Sequence, residues 1–177
     1  MSLRARLAAT LLLGAPMLAP SSVLAEEEAG DWRERLDWPP AMELDHVLVQ
    51  TSLYTDHFSP DPNHTNNQQL TAIELHNPDL WFTGFARFKN SFGQDSHYLY
   101  VGRELPIWES GDTRIRAKLT AGALHGYRGE YRDKIPFNRY EVAPGILPTL
   151  GMSWKRLETD LVIFGAAGLM VTAGWRF

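Results

Sequence analysis

Leu169-Met170-Val171-Thr172-Ala173-Gly174-Trp175-Arg176-Phe177 closes the chain, and its alternation decides the fold. Leu169, Val171, Ala173, Trp175 and Phe177 fall on one side, and Met170, Thr172, Gly174 and Arg176 on the other. Side chains on a strand point to opposite faces with period two, so the segment has one greasy face and one mixed face. Ending a strand on an exposed aromatic invites aggregation in water. At a lipid–water boundary the same ring is an anchor.

The other terminus agrees. Arg4 and Arg6 precede an apolar run from Leu7 to Leu18, and a polar stretch then ends at Val23-Leu24-Ala25. A basic region, a short hydrophobic region and small residues at a cleavage point are the layout of a secretory signal, here residues 1–25. Pro16 and Pro20 stop the run short of the roughly 20 apolar residues that span a membrane as a helix. Removing Arg4 and Arg6 leaves 15 basic against 21 acidic residues in the expected mature chain. An acidic chain without a basic tract excludes nucleic acid as the expected partner. The chain has no cysteine, so an oxidising compartment would leave no disulfide mark. A chain of this kind crosses a membrane only as a closed barrel, because lipid offers no other way to pair backbone groups. The terminal strand itself resembles the closing strand of bacterial outer-membrane barrels, which commonly ends in Phe. That resemblance implies the outer membrane as location and recognition of Phe177 by its assembly machinery.

Residues 26–45 read as a periplasmic lead-in. Within it Asp31 to Trp38 suits a short amphipathic helix, with Asp31 as N-cap, Trp32 and Leu36 one turn apart and Pro39-Pro40 as the stop. Residues 46–177 carry eight strand patterns: 46–58, 68–77, 80–91, 96–105, 113–125, 142–154, 157–164 and 168–177. Asn77-Pro78-Asp79, Ser91-Phe92-Gly93 and Glu109-Ser110-Gly111-Asp112 separate some of them as turns, and a polar stretch from Gly126 to Arg139 forms a longer loop. Strand lengths of about 9–11 residues suit tilted transmembrane strands. The expected fold is therefore all-β: an eight-stranded antiparallel up-and-down transmembrane barrel, read as a monomer. A soluble lipocalin-like barrel is the competing fold. With the N-terminus periplasmic, Trp32, Trp38, Trp81, Trp108, Trp154 and Trp175 all sort to one interface, as an aromatic girdle requires.

An eight-stranded interior holds side chains or one slender ligand, and a general pore needs about twice that strand number. The sixth strand pattern, Val142 to Gly151, is apolar on both faces. Gly122, Gly145 and Gly151 suggest free space in the lumen. Pro144 and Pro148 lack the N–H that a ladder requires, so they mark either a bulge or a gap in pairing through which a lipid chain enters sideways.

Six segments of the chain are similar to the lipid A palmitoyltransferase family of outer-membrane barrels, usually called PagP. Tyr54-Thr55-Asp56-His57 parallels the family segment that carries its catalytic His. Phe88-Lys89-Asn90-Ser91 parallels its Phe-Lys-Asp-Ser, which carries the catalytic Asp and Ser. Gly102 and Glu104 stand at the family's offsets after Ser91, and that Gly is the floor of the family's acyl-chain pocket. Thr120-Ala121-Gly122, the proline-interrupted sixth strand and the final strand also have counterparts. The resemblance implies transfer of an acyl chain from a phospholipid to lipid A. It makes His57, Ser91 and Asn90 the catalytic candidates, and Gly102, Pro144 and Pro148 the acyl-binding ones. Membrane lipids are then the partners, and no cofactor or metal is expected. Asn90 stands where the family has Asp, so Asp56 or Asp95 would have to supply a carboxylate, and Phe164 replaces a second family proline.

The alternative is a non-catalytic barrel that binds or transports a small phosphorylated solute, since short barrels resembling this one carry glycerol-3-phosphate transporter names. Arg128 and Arg132, with Lys134 and Arg139, would hold the phosphate or contact lipid A phosphates. Glu130, Asp133 and Glu141 are interleaved with them, which also fits a solvated loop. Asp56, His57, Asp61 and His64 match no metal-ligand spacing. His97 and His125 read as lumen or interface residues.

Overall fold

Residues 33–37, 40–59 and 62–177 are described by the structure, a computed structural model. The leader at 1–25, Asp31, Trp32, Trp38, Pro39 and Asp61 lie outside the described residues. Residues 33–37 form one helical turn, in which Asp37 donates its backbone N–H to the Glu34 carbonyl at 3.2 Å. The second compact unit, Pro40–Phe177, is the barrel.

Its strands are β1 (His46–His57), β2 (Thr71–His76), β3 (Trp81–Lys89), β4 (Asp95–Ser110), β5 (Thr113–His125), β6 (Val142–Trp154), β7 (Leu157–Ile163) and β8 (Gly168–Arg176). Each pairs antiparallel with its sequence neighbours, and β1 with β8 closes the barrel. All eight expected strands are present. β4 runs past its expected end at Leu105, because a bulge between Pro106 and Trp108 absorbs the proline and lets pairing with β5 continue to Ser110. β2 starts late, because Gln69 sits at φ 46° in the left-handed region, which ladder pairing does not accommodate.

Two cross-strand pairs fill the narrow interior by setting an aromatic ring over a glycine. Gly84 pairs with Tyr100 and Gly102 with Phe82, and a Cβ on either glycine would run into its partner's ring. Of the glycines expected to leave space, Gly122 packs on Leu99 and Tyr100 and Gly151 against Asp160 and Arg116, while Gly145 lies beside the Tyr98 ring and borders open space in the lumen.

The interior divides in two. Toward the start of β1 and the end of β8 it is a buried ionic plug. Lys118 bridges Glu74 at 2.8 Å and Asp160 at 2.9 Å, and Arg116 bridges Asp160 and Glu104 at 3.0 Å each. Arg116 also pairs with Glu158, which Arg176 holds from the other side at 2.9 Å. Arg116 is 0% exposed, and all four carboxylates are buried. Toward the other end the lining is apolar: Leu70, Ala72, Ala86, Tyr98 and Met170, with Phe88, Leu124, Leu147, Val162 and Phe164 packed against them.

Outside, the apolar residues are bare. Val49, Ile73, Leu75, Phe85, Leu99, Val101, Leu119, Ile146 and Leu150 form an exposed apolar surface around the strands. Trp108, Trp154 and Trp175 are exposed at the end where β1 begins and β8 ends, with Trp81 half-buried on the same rim. Tyr54, Phe58, Phe137 and Tyr140 are exposed toward the opposite end. No helix among the described residues is long and apolar enough to cross a membrane.

Replacing Arg116 with Met leaves Glu104, Glu158 and Asp160 facing each other without their shared cation. Breaking one side of a buried ion network costs about 3–5 kcal/mol. Urea unfolding of the barrel in lipid vesicles should show a loss of that size for Arg116→Met, and a partial return when Glu158→Gln is added.

Candidate active site

β1 changes phase before it reaches the rim. His46, Leu48 and Gln50 face inward at even positions, and a bulge between Ser52 and Tyr54 leaves Leu53 and Tyr54 both exposed. After it Thr55 is buried and His57 points into the mouth. An even-spaced strand would have turned His57 outward, since slipping one residue moves every side chain to the other face. Opposite it, β3 ends at Lys89 and the chain turns through Asn90 to Gly93, placing Ser91 on the same rim.

The two meet. His57 Nε2 lies 2.7 Å from Ser91 Oγ, and His57 Nδ1 lies 2.7 Å from Asn66 Oδ1. An amide oxygen only accepts, so Nδ1 carries the ring proton and Nε2 accepts from the Ser91 hydroxyl. That is the tautomer a general base needs. Asn66 belongs to the segment between β1 and β2, which is pinned nearby by the Thr65 N–H on the Ser91 carbonyl at 2.8 Å.

Asn90 has a different role from the family's Asp. Its Oδ1 accepts the N–H groups of Phe92 and Gln94 at 3.0 Å each. Its Nδ2 donates to the Gly126 carbonyl and to Gln94 Oε1, each at 3.3 Å. The side chain is buried and holds the turn that presents Ser91, with no bond to His57. Neither proposed substitute replaces it. Asp95 is held by Lys89 at 3.0 Å and Arg87 at 3.6 Å, and Asp56 lies on the strand face opposite His57.

Below the rim opens a cavity of about 780 Å³. His57, Ser91 and Asn90 line its mouth, and Leu70, Ala86, Phe88, Leu147 and Met170 its apolar wall. Its floor is Tyr100 with the top of the plug, Glu74, Lys118 and Asp160. Gly102 does not line the cavity; it lies below this floor, under the Phe82 ring. Arg128 and Arg132 do not line it either. Arg128 is exposed and fixed through its backbone to Gln94, and Arg132 lies 3.7 Å from Asp133. The cation at the mouth is Lys134, over the Phe92 ring at 5.7 Å. His64 lies between His57 and Phe92, tilted to the first and edge-on to the second, with ring centroids 4.6 and 5.0 Å away. His97 and His125 stack on each other on the outer surface. No group of three His, Cys, Asp or Glu among the described residues is arranged to hold a metal.

The wall is incomplete at two places. β6 pairs with β5 from Val142 to Trp154, but with β7 only from Thr149 onward. Pro144 and Pro148 both lie in the unpaired length, on the outward face, and Pro144 borders the cavity. β1 likewise pairs with β8 as far as His57, but with β2 only as far as Thr51.

A Cβ at Gly102 meets Phe82 inside the plug. Gly102→Ala should therefore destabilise by about 1–3 kcal/mol, as overpacking does, and leave the cavity depth unchanged. Tyr100→Ala should vacate the recess over Gly84 and lower the floor. Crystal structures of both variants with bound alkyl detergents check this: longer ordered alkyl density is expected for Tyr100→Ala alone. No protein-family model matches the chain, and neither does any curated protein sequence.

Proposed function

We propose that this chain is an outer-membrane acyltransferase that moves an acyl chain from a membrane phospholipid to lipid A. One observation carries it: a Ser91–His57–Asn66 hydrogen-bond chain opens onto an apolar cavity whose wall is unpaired at two places. The exposed apolar surface and the tryptophans at one end suit a barrel seated in a bilayer with its termini periplasmic. The trio then lies at the outer leaflet, where lipid A phosphates are. The chain acts as a monomer whose Phe177 is read by the assembly machinery.

In this reading the donor's acyl tail lies in the cavity and its ester carbonyl at the rim. His57 Nε2 takes the Ser91 proton as Oγ attacks the carbonyl, and Asn66 holds the ring in register. The tetrahedral centre collapses to an acyl-serine, and His57 returns the proton to the departing lysophospholipid oxygen. A lipid A hydroxyl then gives its proton to His57, attacks the acyl-serine and frees Ser91, which regains the proton. Transport of a phosphorylated solute is the weaker reading, because a solute would have to pass the region where Arg116, Glu104, Glu158 and Phe82 are buried.

Folded protein given phospholipid and lipid A should yield acylated lipid A by mass spectrometry. Ser91→Ala should abolish the product, and His57→Ala should slow its formation on the order of 10²–10⁴-fold. Asn66→Ala, which only misaligns the ring, should cost about 10²-fold. A folded barrel that makes no such product, yet swells liposomes with glycerol-3-phosphate, would reverse the order of the two readings.

A further inference from the structure

A buried polar atom without a partner costs free energy, so its chemistry says what a ligand beside it must bring. Among the described residues that line the cavity, two carry such a side-chain atom: His64 Nδ1 and Gln68 Oε1. The imidazole specifies little, because either ring nitrogen donates or accepts according to tautomer. The amide specifies one role. Gln68 Nε2 donates to the Thr65 carbonyl at 2.6 Å, and a carbonyl only accepts, so the orientation of the amide is fixed. The atom left without a partner is therefore an acceptor, and its complement is an O–H or N–H donor.

The place of Gln68 narrows the ligand further. It is 5% exposed, and its carbonyl accepts the Lys89 N–H at 2.6 Å at the end of β3, where Asn90 and Ser91 follow. Thr65, which takes the Gln68 amide, donates its own N–H to the Ser91 carbonyl at 2.8 Å. One residue thus links the Gln68 side chain to the backbone of the serine. The next inward positions, Leu70 after Gln68 and Phe88 on β3, begin the apolar wall. An acyl chain with its carbonyl at Ser91 and its tail along Leu70 and Phe88 passes Gln68 with its first carbons. In an unsubstituted chain those carbons carry no donor, and the amide oxygen is covered by hydrocarbon with nothing to bond. A hydroxyl on one of them supplies the missing partner.

We infer that the acyl chain taken by this site carries a hydroxyl within its first few carbons, and that Gln68 Oε1 is the acceptor that recognises it. Gln68 is then a specificity-determining residue: a chain without the hydroxyl leaves the buried amide oxygen unpaired, which is how a site built for a hydroxyl rejects the analogue lacking it. An acceptor alcohol arrives on the rim side of the carbonyl, whereas Gln68 borders the wall that takes the tail, so the transferred chain is the source this placement favours. The inference rests on the reading of Ser91 as a nucleophile.

The p-nitrophenyl esters of 3-hydroxydodecanoic and dodecanoic acid test it on the full barrel in detergent micelles, with no acceptor lipid present. The burst of p-nitrophenolate reads acyl-serine formation, as Ser91 Oγ replaces the phenolate on the carbonyl. Wild type should burst about 5–10-fold faster with the hydroxy ester, the span that one hydrogen bond of ordinary net strength allows. Gln68→Met keeps the length of the side chain without the amide oxygen and should erase that difference. Losing the bond to Thr65 slows both esters alike, so the ratio is insensitive to a loosened loop. Equal wild-type burst rates would overturn the inference and leave Ser91 as nucleophile. A preference that persists in Gln68→Met would overturn the role of Gln68. A preference that appears only in turnover after a lipid alcohol is added would overturn it in favour of the acceptor as source of the hydroxyl. A folded wild-type barrel that gives no burst with either ester would overturn the nucleophile and this inference together. If Gln68→Met fails the heat-modifiability check for a folded barrel, Gln68→Leu takes its place with the same expected loss.

Discussion

Glu74, Glu104, Glu158 and Asp160 share the barrel interior with Arg116, Lys118 and Arg176, and the rest of the structure depends on that pairing. A carboxylate taken out of water without a partner costs several kcal/mol, so each of these groups tolerates burial only while the others are present. The bonds also run across the lumen. Lys118 on β5 ties β2 to β7, Arg116 on β5 ties β4 to β7, and Arg176 extends the network to β8. Strands that share no ladder are thereby held at fixed distances. The plug makes the lower half one rigid body and leaves the upper half hollow, and its top surface is the floor of the cavity.

The rest of the interior is shaped by smaller devices that act on single side chains. Tyr100 over Gly84 and Phe82 over Gly102 convert two missing side chains into seats for rings contributed by the neighbouring strand. The bulge in β1 spends one residue to reverse the facing of everything beyond it, and so brings His57 to Ser91. Neither device uses the closed plug for chemistry. It supplies the fixed frame against which a half-exposed rim can keep 2.7 Å contacts.

What was legible in the sequence follows from these scales. Period-two patterning and turn residues are local, so every strand could be placed, and Pro106 misplaced one end because a bulge is decided by the partner strand. His57 and Ser91 were reachable from their segments, although the inward facing of His57 relied on a bulge that the pattern of β1 alone does not show. Asn66 was missed: Thr65-Asn66-Asn67 sits in a polar stretch without periodicity, and only the folded path brings it to His57. Asn90 takes its place among the catalytic candidates from the resemblance of Phe88-Lys89-Asn90-Ser91 alone, and the bonds it makes are those of a turn residue, which the segment by itself does not show. The plug did leave a signal. Arg114, Arg116 and Lys118 recur at every second residue of β5, as do Glu74 and His76 in β2 and Glu158 and Asp160 in β7. Charges alternating on the inner face of a strand in one half of a barrel already predict an ionic interior there.

The unpaired edges follow from the same division. An unpaired strand edge leaves backbone donors and acceptors without ladder partners, a cost that closed barrels avoid. Both edges here lie beyond the level of the plug, β6 before Thr149 and β1 after Thr51, where closure rests on other contacts. On β6 two of the seven unpaired residues are prolines, which have no N–H to strand, so the donor side of the cost is reduced where the opening lies. Along β1 the segment after the strand supplies partners instead: the Leu70 carbonyl accepts from the Ser52 N–H at 3.3 Å and from Thr51 Oγ1 at 2.7 Å, and Ser52 Oγ accepts from the Leu70 N–H at 3.0 Å. One opening is made less costly by removing donors and the other by replacing partners. Both unpaired lengths thus lie at the level of the apolar cavity, while the ionic half is paired on every side.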